Sequence, residues 1–109
     1  MGMVMSQYDI ILVNLDPTVG HEMQKARPCV IVSPDELNNQ LATLIIVPMT
    51  TVSHPYPTRV PVTLDKKSGW IVLDQIRTID KKRIIKTLGK LNQKEITEIK
   101  NIINEMLVQ

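Results

Sequence analysis

Apolar residues along most of this chain come in short runs stopped by a proline or a polar turn, and only the last stretch changes rhythm. Ile10–Leu15 ends at Asp16-Pro17, and Cys29–Ser33 ends at Ser33-Pro34. Leu41–Met49 carries Pro48, and Arg59–Leu64 alternates as Arg-Val-Pro-Val-Thr-Leu. Trp70–Leu73 is a further apolar run, followed by shorter candidates at Gln75–Ile79 and Lys86–Leu91. Such runs, rich in Ile and Val and bounded by turn residues, predict strands. Pro48 places its run at a sheet edge or a bulge. Pro34–Gln40 is one helical turn or a loop, and Asp65–Gly69 is a turn.

Beyond Leu91 the spacing becomes helical. Ile96, Ile99, Ile102, Ile103, Met106 and Leu107 recur every three or four positions, which puts them on one face of a helix. Asn92 is a good N-cap, Glu95 three residues later completes a capping box, and Leu91 can pack on Ile96 as a hydrophobic staple. The expected fold is mainly β: a small, strongly bent sheet or open barrel, with the C-terminal amphipathic helix covering an open side. A barrel of this size has a solid interior, so any active site must lie on its loops.

At 109 residues the chain should make one domain, taken as 8–109, with residues 1–7 set aside as an N-terminal extension. Hydrophobic content of 43% and charged content of 22% are ordinary for a soluble globular protein. The aromatics are Tyr8, Tyr56 and Trp70, so the core is built from Ile, Val and Leu, and extended base-stacking platforms are largely ruled out. The single cysteine, Cys29, fits a reducing, cytoplasmic setting and reads as a core thiol. No apolar stretch reaches the length of a membrane span, and Met1 to Gln7 lacks the apolar region of a signal peptide. Net charge is only +2, but Lys81, Lys82, Arg83, Lys86 and Lys90 cluster beside Asp80, as a solvated face or as a patch that steers polyanions.

The segment from Asp16 to Pro28 is oversized for a hairpin connection. Between positions 21 and 27 it carries the imidazole of His21, the carboxylate of Glu22, the ammonium of Lys25 and the guanidinium of Arg27. Arg27 precedes Pro28, which keeps its backbone extended, and a planar guanidinium binds two phosphate oxygens together. Glu22 or His21 can move a proton. Thr50 and Thr51 end the third apolar run, where hydroxyls cap a turn or donate to a phosphate. Asp74-Gln75 follows another strand; Asp74 reads as a structural tie and Gln75 as a group able to read a base edge.

Metal and cofactor chemistry finds no support. His21 and His54 are the only histidines, and no ligand pair has zinc spacing. No glycine-rich phosphate loop or nucleophile elbow is present. Arg, a carboxylate and hydroxyls suit phosphodiester cleavage in which the 2′-hydroxyl of RNA is the nucleophile.

Three blocks then resemble a known family in order and spacing. They are Leu15-Asp16-Pro17-Thr18-Val19-Gly20-His21-Glu22 with Arg27-Pro28, then Val47-Pro48-Met49-Thr50-Thr51, then Leu73-Asp74-Gln75-Ile76-Arg77-Thr78-Ile79-Asp80. Together they resemble the MazF/PemK/Kid toxin–antitoxin endoribonucleases, from about Tyr8 to the C-terminal helix. The resemblance implies an SH3-like barrel with a C-terminal helix, acting as a homodimer that cleaves single-stranded RNA without metal or other cofactor. The implied products are a 2′,3′-cyclic phosphate and a 5′-hydroxyl, and the implied inhibitor is a cognate antitoxin lying in the RNA groove. By position, Arg27 matches the family's essential Arg and Thr50 its Thr. Glu22 and His21 match residues assigned proton transfer in different members. Ala26 and Val72 stand where some members carry a His and an Arg, so Glu22 and His21 are alternatives for the base. Gln24, Lys25, Thr51, Ser53 and Gln75 are the expected RNA path.

Two other classes compete. A gyrase poison of the CcdB type shares the fold, but that resemblance calls for Trp-Gly-Ile at the C-terminus, where this chain has Met106-Leu107-Val108-Gln109. A non-catalytic barrel that binds RNA or a protein is the third reading.

Overall fold

The computed structural model describes residues 5–17, 20–22, 25–52 and 56–108. Strands β1 (Asp9–Asn14), β2 (Ala26–Ile31) and β3 (Thr43–Thr50) form the middle of the sheet. Strands β4 (Arg59–Leu64) and β5 (Lys67–Val72) form a hairpin beyond β3. Strands β6 (Arg77–Asp80) and β7 (Ile84–Lys90) complete it, with short helices α1 (Asp35–Asn38) and α2 (Gln93–Ile103). The order is β4-β5-β3-β2-β1-β7, with β6 paired to β3 off this path, and every pairing is antiparallel. The sheet curls into a half-barrel whose end strands β4 and β7 do not pair with each other. This is the mainly β fold with a closing helix that the periodicity predicts.

Strand alternation sorts the core into two clusters on opposite faces. Ile10, Val30, Val47 and Met49 join Val60, Val62, Ile71 and Leu73 on one face. Ile96, Ile99, Ile102, Ile103 and Met106 of α2 and its final turn pack there, together with Leu91. Ile11, Val13, Leu15, Cys29, Ile31, Leu44, Ile46 and Ile79 form the other. The helix starts as its sequence predicts: the Asn92 side chain accepts from the Glu95 amide at 2.8 Å, and Glu95 accepts from the Asn92 amide at 2.9 Å. No described helix is long and apolar enough to cross a membrane.

Three local expectations need correction. Pro48 is not at an edge: β3 has β2 on one side and two successive partners on the other. Its pairing with β6 ends at Ile46 and that with β5 begins at Met49, so the proline sits where the ladder changes partner. Second, β2 starts at Ala26 rather than Cys29, so Arg27 and Pro28 lie inside it, opposite Val13 and Leu12. Pairing with β3 begins only at Cys29, which leaves the proline one ladderless side. Third, the turn expected over Asp65–Gly69 contracts to Asp65 and Lys66, both at positive φ (50° and 65°), the geometry of a tight two-residue hairpin.

Candidate active site

Apart from Lys25, which lines neither, the predicted site residues that are described fall into two neighbouring recesses. His21, Glu22 and Gln75 line a cleft of about 360 Å³ together with Leu15, Pro48, Asp74, Ile76 and Arg77. Arg27, Thr50 and Thr51 line a smaller one of about 190 Å³, walled by Met49, Val62, Lys67 and Gly69. Consecutive residues of β3, Pro48 and Met49, border one and then the other. Gln24 and Ser53 lie outside the described residues.

Arg27 is held by the sheet. It pairs with Val13, and continuing the Cys29–Pro48 register by two residues puts it opposite Thr50. It is half-buried and shares a face with Cys29, two positions on. Its direction is therefore set by strand geometry and not by a loop. Thr50 ends β3, paired with Trp70. Its hydroxyl donates to the Val52 carbonyl and accepts from the Val52 amide, both at 3.2 Å, closing a turn at the strand end. Rotation of that O–H can redirect the donor to a phosphate while the amide contact stays. Gly69 allows this corner to form, because a Cβ there would stand 2.8 Å from the Thr50 carbonyl oxygen.

His21 and Glu22 are exposed on the loop between β1 and β2. Lys25 ends that loop at φ 69°, and its amide donates to the Asp16 carboxylate at 2.9 Å. Asp74 has the structural part expected of it. It accepts from the Thr58 hydroxyl at 3.0 Å and from Nε and Nη2 of Arg59, each at 3.3 Å. Partial burial raises the Asp74 pKa, but the Arg59 and Thr58 donors outweigh it and hold the carboxyl below its usual value. Arg59 also lies 4.9 Å from the Tyr56 ring centre, so the network ties Tyr56 and Thr58 to Asp74 in the lining of the larger cleft.

Two cations escaped the sequence reading. Arg77 lines the cleft of Glu22 and His21, and Lys67 lines the recess of Arg27. The signal for Arg77 was period two: it stands two residues before buried Ile79, so the strand aims it at the Cys29 face. Lys67 is brought in by the hairpin and had no local signal. Cys29 itself is wholly buried; burial pushes its thiol up to about 12 against the lowering influence of Arg77 and Arg27. Among the described residues no three His, Cys, Asp or Glu side chains gather as a metal site.

The chain belongs to the family of PemK-like, MazF-like toxins of type II toxin–antitoxin systems, whose model matches residues 6–107. It is 34% identical over 100 residues to the endoribonuclease toxin MazF of Escherichia coli K12, covering 91% of this chain and 90% of that protein. Among solved structures it resembles MazF of Deinococcus radiodurans, with a TM-score of 0.88 at 23% identity over 99% of this chain and all of that one. It also resembles a mycobacterial endoribonuclease in complex with its cognate antitoxin, with a TM-score of 0.79 at 22% identity over 94% of this chain and 93% of that one.

Proposed function

We propose that the protein is the toxin of a toxin–antitoxin pair and a sequence-specific endoribonuclease that cleaves single-stranded RNA without metal. The observation that carries this reading is Arg27, seated in β2 and lining one recess with Thr50 at the end of β3. In the reaction, Glu22 takes the proton of the 2′-hydroxyl, or His21 does so in its place. The 2′-oxygen attacks phosphorus, the bond to the 5′-oxygen breaks, and that oxygen departs with a proton returned from the cleft. Arg27 neutralises the charge on the phosphorane, and Thr50 orients the scissile phosphate. The products are a 2′,3′-cyclic phosphate and a 5′-hydroxyl. Lys25, Thr51 and Gln75, with Gln24 and Ser53, line the RNA path, and Arg77 and Lys67 add positive charge beside it.

Two partners belong to the proposal. A cognate antitoxin is supported by the antitoxin complex of the mycobacterial structural relative. A homodimer is supported by the half-exposed to exposed side chains Leu107 and Val108 at the end of the terminal helix. The test is to incubate the protein with mixed RNA in excess chelator and to map cut sites and end groups. Arg27→Ala should abolish cleavage while light scattering still reports a dimer. An Arg27→Ala protein that cuts RNA as well as the parent would overturn the assignment.

A further inference from the structure

The basic cluster over residues 81–90 is only partly a solvated face. In the 3-10 turn Lys81–Arg83, the Lys81 ammonium donates to the Asn38 carbonyl at the end of α1. Nη1 of Arg83 donates to the carbonyl of Asn14, at 3.2 Å, and to that of Asp16. These two carbonyls lie where the chain leaves β1 for the loop that carries His21 and Glu22. The same loop base is closed from within. The Leu15 amide donates to the Lys25 carbonyl at 3.0 Å, the Lys25 amide donates to the Asp16 carboxylate at 2.9 Å, and the Asp16 amide donates to the Asn14 side-chain oxygen at 3.1 Å.

We propose that Arg83 is a positioning residue for the loop between β1 and β2, holding its base so that His21 and Glu22 meet the RNA in a fixed direction. This rests on the functional reading above. Among the described residues, Leu15 and Asp16 bond to Lys25 across the two ends of the loop, which sets the width of its base and not its tilt against the sheet. Arg83 supplies the tilt. It reaches across 67 positions of sequence to the Asp16 carbonyl and bridges it to Asn14, so one nitrogen fixes the directions of two carbonyls that flank Leu15. Both acceptors are backbone, so the contact depends on the guanidinium and not on the loop's side chains. A two-carbonyl bridge suits guanidinium, whose two terminal nitrogens each carry two donors in a rigid plane; an ammonium holds one such direction less firmly.

The experiment compares the full-length parent with Arg83→Ala, Arg83→Lys and Asp16→Ala. Lys94→Ala, which removes a positive charge on α2 away from the loop, serves as control. Cleavage of mixed RNA gives kcat and KM, salt titration gives the slope of binding, and amide hydrogen exchange is read at Leu15 and Lys25. A misplaced catalytic group lowers turnover without weakening binding, so Arg83→Ala should lose roughly 10- to 100-fold in kcat. KM and the salt slope should stay close to the parent's, and exchange at Leu15 and Lys25 should speed up selectively. Arg83→Lys should recover part of kcat, and Asp16→Ala should reproduce the loss with Arg83 intact. The proposal fails if Arg83→Ala raises KM and lowers the salt slope by about 0.7, the mark of a lost phosphate contact. It fails equally if exchange quickens uniformly over the domain, or if kcat is unchanged. If the parent itself cuts no RNA, the functional reading is wrong, and exchange at Leu15 and Lys25 still decides whether Arg83 holds the loop.

Discussion

Replacing Gly69 by alanine tests how tightly the corner beside Arg27 is built. Gly69 lies in β5 opposite Val62, next to the Thr50–Trp70 pair that joins β5 to β3. An alanine Cβ would stand 2.8 Å from the Thr50 carbonyl oxygen and 3.5 Å from its carbon, with the Thr51 Cα at 3.9 Å. All three atoms are backbone, so no side chain can swing away. Ordinary contact begins near 3.4 Å, so β3 and β5 must separate by about 0.6 Å at this point. Forced overpacking of this kind costs about 1–3 kcal/mol. Alanine recovers about 0.4–1 kcal/mol by narrowing the unfolded ensemble. The net loss is then about 1–2 kcal/mol, or roughly 4–15 °C in melting temperature for a domain of this size. Because the displaced atoms belong to Thr50, cleavage should fall together with stability when measured well below the melting range. Thermal unfolding by circular dichroism and a single-turnover RNA assay give both numbers. A Gly69→Ala protein that melts at or above the parent and cleaves at the parental rate would refute the packing argument.

Two further outcomes follow from the titrating groups. The Asp74 carboxyl is held below its ordinary value in the folded protein, so the stability that it contributes is present above the unfolded value near 3.9 and lost as pH falls through the folded one. Urea midpoints of parent and Asp74→Asn should therefore converge between about pH 5 and pH 2; the gap is small because the Arg59–Asp74 pair is partly exposed, with side chains 18% and 38% accessible. A gap constant over that range would remove Asp74 as its source. Cys29, with its thiol pushed up to about 12 by burial, should react with a thiol reagent at pH 8 only as fast as the protein unfolds. Rapid labelling of the native protein would contradict its burial.

Much of the fold was legible because it rests on local periodicity. The helix with its Asn92–Glu95 capping box forms as predicted, and β4 occupies Arg59–Leu64 as its alternation indicates. The errors came where strand partners decide the outcome. Pro48 reads as a residue at a sheet edge or a bulge because a proline cannot complete a ladder, and no local pattern shows that β3 exchanges β6 for β5 beside it. Arg27 reads as an extended residue at the end of a loop because the apolar run begins only at Cys29, yet β1 recruits it and Pro28 into β2. The cluster Lys81–Lys90 reads as surface charge, whereas Lys81 and Arg83 are committed to carbonyls of Asn38, Asn14 and Asp16.

By itself the sequence determined the chemical inventory: an arginine, a carboxylate, an imidazole and strand-end hydroxyls, in three blocks whose order identifies the toxin family. It also determined the elements, since spacing of apolar residues acts over a few positions. What only the tertiary structure decided is how that inventory is shared out. Glu22, His21 and Gln75 border one recess with Arg77, while Arg27 and Thr50 border another with Lys67. The reason is physical: these neighbours meet through strand register and long-range hydrogen bonds, which depend on how the sheet curls and leave no trace in local spacing.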